Sequence, residues 1–381
     1  GYKRFTPSAL PTVQEVVSRA EQGRLGELFR REETEPHTYL EKLIDSTDGL
    51  RGANHLAYRA VVGATVAVRR ELHRAAGRMD TRLRLGEDSE FGYRLAQAGA
   101  VFIPEPQADS WHLGPSHAMR DAERINRYNR PHLADRMPLS RWLRDGTRRI
   151  WSVPLVVAVV QVDGQPLEQV QACVDRLLAS DEYDLRVQLV GPWSAITEQR
   201  QPVLEDPWLE TRLIAATYRS DPRVSLVEKE PTTVFPAPYL LRVPVGVGVS
   251  PRTVRQLVIE ADNAEVGLLR VASPGTGVGV VPPRLELWRT AAVNRARRWL
   301  PDLPLAEAVD RVWGSRWASG EHYGLVDLTS GVNGRPPAAR GPGQAATPGP
   351  VPVAGVRSLV RATGYVGRLA LARTRHRLRR T

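Results

Sequence analysis

The sequence predicts an α/β fold, a mixed sheet flanked by helices and built as two units in tandem. Three observations carry this. Pro154 to Val162 is a mostly continuous apolar, β-branched run, the pattern of a strand buried on both faces. An amphipathic stretch from Leu167 to Leu178 and a second strand pattern from Leu185 to Val190 follow it, which is the order of a parallel βαβ unit. Upstream, Leu85 to Leu95 reads as a helix whose first turn carries adjacent carboxylates, followed by an Ala98-Gly99-Ala100 turn.

The remaining elements follow in chain order. Gly1 to Thr6 reads as a strand stub. Thr12-Val13-Gln14-Glu15 resembles a capping box opening a helix, continued by Val16, Val17 and Ala20. Val101-Phe102-Ile103 reads as a short strand stopped by Pro104. His112 then falls in a loop. Residues 116–150 are polar, contain Pro131 and Pro138, and read as a helical linker between a unit over 1–115 and a second over 151–328. In the second unit, ordered segments are expected at 223–227, 239–243, 253–261 and 266–271. The Gly/Pro/Ala-rich stretch 329–355 cannot bury a core and reads as a linker, and 356–381 as a basic amphipathic tail.

Composition excludes several classes. Hydrophobic residues make up 42% and charged residues 25% of 381, ordinary for a globular protein of this size. The single cysteine, Cys173, rules out an internal disulfide framework, and its apolar helical setting predicts buried filler. No apolar run is long enough to span a bilayer. The net charge of +11 suggests nucleic acid at first sight, yet Arg357, Arg361, Arg368, Arg373, Arg375, Arg377, Arg379 and Arg380 concentrate the excess in the tail. No zinc-finger, RRM or KH signature accompanies it, so no nucleic-acid partner is expected; an anionic membrane surface suits the tail better.

Glu87-Asp88 on its own is compatible with simple complementation of a helix dipole, and His112 with a solvated loop histidine. The ordered set says more. Gly86-Glu87-Asp88-Ser89-Glu90-Phe91-Gly92-Tyr93-Arg94-Leu95, the small-residue turn, Pro104 and Trp111-His112-Leu113-Gly114 resemble the second half of the family 2 glycosyltransferases of the GT-A fold. Val62 to Arg70 is similar to that family's acceptor-side strand, and Ala76-Gly77-Arg78-Met79-Asp80 stands where members carry Gly-Gly-Phe-Asp. The resemblance implies transfer of a sugar, with inversion, from a nucleotide-sugar donor to a hydroxyl of a glycan or lipid-linked acceptor. Asp88 would be the catalytic base and Glu87 would orient the acceptor or tune the base. His112 would ligate a divalent metal, Mn or Mg. Arg69, Arg70 and Arg94 are basic candidates for the pocket, with surface or ion-pair roles as the alternative. A role in bacterial envelope or exopolysaccharide synthesis, in the cytoplasm or at the inner face of the plasma membrane, would follow.

The same resemblance exposes gaps. No Asp-x-Asp motif precedes Asp88, so the first unit is expected to lack its nucleotide-binding half and this chain alone to be inactive. In the second unit Pro244-Val245-Gly246 stands where the acidic motif should be, so a GT-A-like scaffold without donor chemistry is expected there. A non-catalytic scaffold or glycan-binding protein is therefore the alternative. Trp288, Trp313 and Trp317, each near arginines, suit sugar stacking or plain packing.

Overall fold

The computed structural model describes residues 2–3, 11–28, 38–63, 65–105, 108, 112–113, 121–144, 148–199, 202–273 and 284–328, with only the backbone described at Tyr2, Lys3, Thr38, His112 and Leu113. Residues 1–336 form one compact unit. The tail and the linker before it lie outside the described residues.

The first part is mainly helical: α1 (Val13–Glu21), α2 (Leu25–Leu28), α3 (Thr38–Ser46), α4 (Arg70–Ala76), α5 (Glu87–Gln97) and α6 (Ala122–Arg136). The Thr12 hydroxyl accepts from the Glu15 amide at 3.2 Å, so the expected cap starts α1. Strands β1 (Tyr2–Lys3) and β2 (His112–Leu113) pair in parallel, Tyr2 opposite His112. Two strand expectations fail. Residues 62–63, 65–68 and 101–103 are irregular, and His112 sits in a strand rather than a loop. An extended segment becomes a strand only when a neighbour satisfies its amides and carbonyls. No strand pairs with either segment among the described residues, and Ile103 is left 82% exposed.

The second part matches the expected fold class. In chain order it runs β3 (Val156–Gln161), α7 (Leu167–Leu178), β4 (Leu185–Val190), α8 (Leu209–Tyr218), β5 (Val224–Val227), β6 (Tyr239–Arg242) and β7 (Val247–Gly248), then α9 (Thr253–Asn263), β8 (Leu268–Ala272) and β9 (Arg284–Arg289). It closes with α10 (Thr290–Trp299), α11 (Leu305–Trp313), β10 (Ser315–Ser319) and β11 (Val326–Asp327). The seven-stranded sheet has the order β10-β8-β9-β6-β3-β4-β5, and β11 pairs with β7 separately. Only β9 runs antiparallel to its neighbours in the large sheet.

Alternation along β3 explains the layers. Val156, Ala158 and Val160 pack on one face with Val170, Cys173 and Val174 of α7 and with Val254 and Leu257 of α9. Val157 and Val159 pack on the other with Ala292 and Ala296 of α10 and Val309 of α11. Both faces are buried, so the run is continuously apolar, as the sequence required. Cys173 is buried in the first of these cores, and burial pushes its thiol up to about 12.

Helix α5 is docked onto the sheet unit by backbone contact. Gly99, at positive φ, lies against the backbone of Asn294 and Arg295, where a Cβ would fall 2.5 Å from the Arg295 nitrogen. The Asn294 side chain donates to Gln97 O at 2.7 Å, and Arg295 Nη2 to Ala100 O at 2.8 Å. Further along, Arg141 and Arg144 both pair with Asp184, and Arg141 also pairs with Glu182.

Candidate functional site

Asp88 stands at the start of α5, whose first turn holds Glu87, Asp88 and Glu90. Its carboxylate is fixed from two directions. Oδ2 accepts from the Gly63 amide at 2.9 Å, and Oδ1 accepts from the Ser89 amide at 2.6 Å and the Ser89 hydroxyl at 3.3 Å. A carboxylate offers about four lone-pair sites. Three are used among the described residues, which leaves one on Oδ2 for an incoming hydroxyl. Gly92, one turn along, lets α5 lie close against residues 58–61, since a Cβ there would meet Tyr58 O at 2.7 Å. The helix is thereby held against the loop that presents Gly63.

Sequence reasoning missed Tyr39, whose phenol feels the charge of Asp88. Tyr39 donates to Arg59 O at 2.9 Å. Burial raises its phenol, Arg59 opposes that, and Tyr58 and the charge of Asp88 add to the rise. Glu87 has one carboxylate oxygen, Oε2, that is buried and accepts no hydrogen bond among the described residues. Nothing in the local sequence of α3 marks Tyr39; only the fold brings it there.

The basic candidates separate. Arg94 is committed to its own helix and the preceding loop. It forms a bidentate pair with buried Glu90 (2.6 and 2.7 Å) and donates to Ala76 O and, at 3.0 Å, to Arg78 O. Arg69 and Arg70 open α4 and are exposed. Arg94 also borders an open cleft of about 390 Å³ shared with Arg78, Asp80, Arg82, Glu90, Asp135 and Arg136. There Arg82 holds the Asp80 carboxyl well below the usual carboxylate range, with Arg136 contributing. Arg69 and Arg70 do not line it.

The metal expectation rests on His112, whose side chain lies outside the described residues. His112 is placed by its backbone alone, and among the described residues no group of three or more His, Cys, Asp or Glu side chains lies together as a metal site. In the second unit, Pro244-Val245-Gly246 forms the turn into β7, with Val245 buried. This stretch supplies no charged oxygen ligand for a hard cation.

The three tryptophans divide. Trp288 is buried in the core beneath α10, and Trp313 packs at its edge with Arg295 stacked 4.3 Å from the ring centroid. Packing accounts for both. Trp317, on the edge strand β10, is 56% exposed with Arg270 and Arg284 beside its ring.

No protein-family model and no curated protein matches the chain. Among solved structures, S. aureus TarS 1–349 is similar at 13% identity and a TM-score of 0.27, over 40% of this chain and 52% of that one. TarS 1–349 in complex with UDP-GlcNAc gives the same identity and TM-score, over 43% and 58%. A 4-diphosphocytidyl-2C-methyl-D-erythritol synthase is similar at 14% identity and a TM-score of 0.29, over 46% and 93%. The chain thus spans little more than half of the TarS structure, and likenesses this distant assign neither substrate nor activity.

Proposed function

We propose that the chain belongs to a nucleotide-sugar-dependent glycosyltransferase in which Asp88 is the base that deprotonates the acceptor hydroxyl. The observation that supports it is the carboxylate of Asp88, fixed by two backbone amides and left with one accepting site on Oδ2. A base needs this combination of fixed position and remaining capacity. Glu87 would orient the acceptor or tune the base, a role that rests on the sequence resemblance. Inversion at the donor carbon, Mn or Mg at His112, and an envelope glycan or lipid-linked acceptor rest on the sequence resemblance alone, so no step runs through a metal here. Arg94 would act by holding α5 in place and not by touching substrate. The experiment is transfer of labelled sugar from a panel of nucleotide-sugars to glycan and lipid acceptors, comparing the full-length protein with its Asp88→Asn variant.

A non-catalytic reading finds support in the second unit, where the turn at 244–246 carries no carboxylate. On that reading the second sheet recognises a ligand without transferring it. Calorimetry with nucleotide-sugars and Mn should then give no heat from that unit. The basic tail at 356–381 is proposed to bring the protein to anionic lipid, tested by co-sedimentation with anionic and neutral vesicles with and without the tail.

A further inference from the structure

Four residues from four strands stand side by side across the second sheet. Arg242 of β6 pairs in register with Glu286 of β9, Glu286 with Arg270 of β8, and Arg270 with Trp317 of β10. Two residues back, on the same face, the row is Leu240, Trp288 and Leu268, buried under α10 and α11. The charged row therefore begins where apolar cover ends.

Its chemistry is unusual for a solvated strand surface. Glu286 is a hub: it accepts from Arg284 Nε at 2.9 Å and from Trp288 Nε1 at 3.1 Å, and Arg242 and Arg270 approach at 3.4 and 3.7 Å. Arg242 also donates to Glu230 at 2.5 Å, and Glu230 accepts from Gln161 at 3.4 Å. Three guanidiniums thus share two carboxylates, leaving a local positive excess. Trp317 extends the row outward, with Arg270 and Arg284 at 5.5 and 5.7 Å from its ring centroid.

The position matters as much as the composition. The chain builds β3, β4 and β5 in one direction and then places β6 on the other side of β3, so strand order reverses between β3 and β6. Open α/β sheets bind ligands outside the carboxyl ends of the strands at such a reversal. Gln161 ends β3 and Arg242 ends β6, and Glu230 bridges them across that crevice. Arg242 stands there between Glu230 and Glu286, and along the row guanidiniums outnumber carboxylates, which favours an anion held directly by guanidiniums.

We propose that the row from Arg242 to Trp317 is a metal-independent site for an anionic saccharide, its sugar ring resting on Trp317 and its carboxylate or phosphate paired with Arg270 and Arg284. The exposed part of the indole supplies contact area for a pyranose face, and the two guanidiniums that lie over the ring select charge. The site does not involve Asp88, so its failure would leave the transferase reading untouched, and the reverse also holds.

The test is a titration of the whole chain, with chelator present, followed by tryptophan fluorescence and calorimetry. The ligands are an oligogalacturonate, its neutral methyl ester, and a phosphorylated mannose oligosaccharide; the two anionic arms separate carboxylate from phosphate as the group recognised. At least one anionic ligand should bind, and at least about tenfold tighter than the ester, the scale of one charge-assisted hydrogen bond. Trp317→Ala should weaken it by about tenfold, as expected for loss of an aromatic platform. Arg284→Gln should remove the preference for the charged ligand. Melting temperatures close to that of the unaltered chain would show that both variants fold. Binding of the ester as tight as the acid, unaltered binding by Trp317→Ala, or no binding in any arm would overturn the proposal.

Discussion

The backbone of Gly99 lies against that of Arg295, so that the turn ending α5 and the second turn of α10 share one surface. Only glycine allows this, because its φ is +90° and a Cβ there would fall 2.5 Å from the Arg295 nitrogen. Gly99→Ala is therefore expected to destabilise the protein by about 2 kcal/mol or more, since backbone would have to move on both sides. Denaturant unfolding checks this; a loss within about 0.5 kcal/mol, the range of an ordinary surface change, would mean that the two helices are not so docked.

Arg94 and the pair Arg69 and Arg70 are expected to behave differently on truncation. Arg94→Ala removes the partner of buried Glu90 and two carbonyl contacts, and should cost about 3 kcal/mol, as for breaking a buried ion pair. Arg69→Ala and Arg70→Ala, both on exposed positions, should stay within about 0.5 kcal/mol. Equal effects from all three would contradict a structural role for Arg94.

His55 predicts a loss of stability in mild acid. Burial pushes its imidazole down to about 4, against the pull of Asp262, with Arg289 and Arg59 adding to the depression. The unfolded chain binds this proton near pH 6.5 and the folded chain only near 4, so stability is intact above 6.5 and falls as pH drops between the two. The whole effect is about 3 kcal/mol by linkage. Unfolding of the protein and of His55→Gln at pH 7.5, 5.5 and 4.5 measures it: the variant should lose less over that window, and parallel losses would count against the assignment.

Cys173 should be inert in the folded protein. Its thiol is buried and raised to about 12, so almost no thiolate exists at neutral pH. Mass spectrometry after treatment with iodoacetamide should show no adduct under native conditions and complete alkylation in denaturant. Rapid native labelling would show that the α7 face opens.

Parts of this fold were legible because their residues carry local signals. The helix from Leu167 to Leu178 and the strand from Leu185 to Val190 have the bounds the sequence predicts, since amphipathic spacing and β-branched runs express burial directly. Residues 62–68 and 101–103 misled because an apolar extended run is only permission for a strand; pairing decides, and pairing is not local. The surroundings of Asp88 were hidden for the same reason. Gly63 is 25 residues away and Tyr39 further still. The row of Arg242, Glu286, Arg270 and Trp317 draws on four separated strands, and only the strand order puts them in line. The one local trace was a tryptophan near arginines, which for Trp288 and Trp313 signifies packing.

Asp88→Asn in the full-length protein is the most direct test of the transferase reading. The substitution keeps the size of the side chain and one acceptor for the Gly63 amide, while removing the proton-accepting carboxylate. Sugar transfer should fall at least ~100-fold, the usual contribution of a positioned base, while the amide nitrogen of Asn faces one of the two backbone donors and stability falls by about the ~1 kcal/mol of one hydrogen bond. Transfer by Asp88→Asn close to that of the unaltered protein, or no transfer by the unaltered protein from any nucleotide-sugar, would contradict the account.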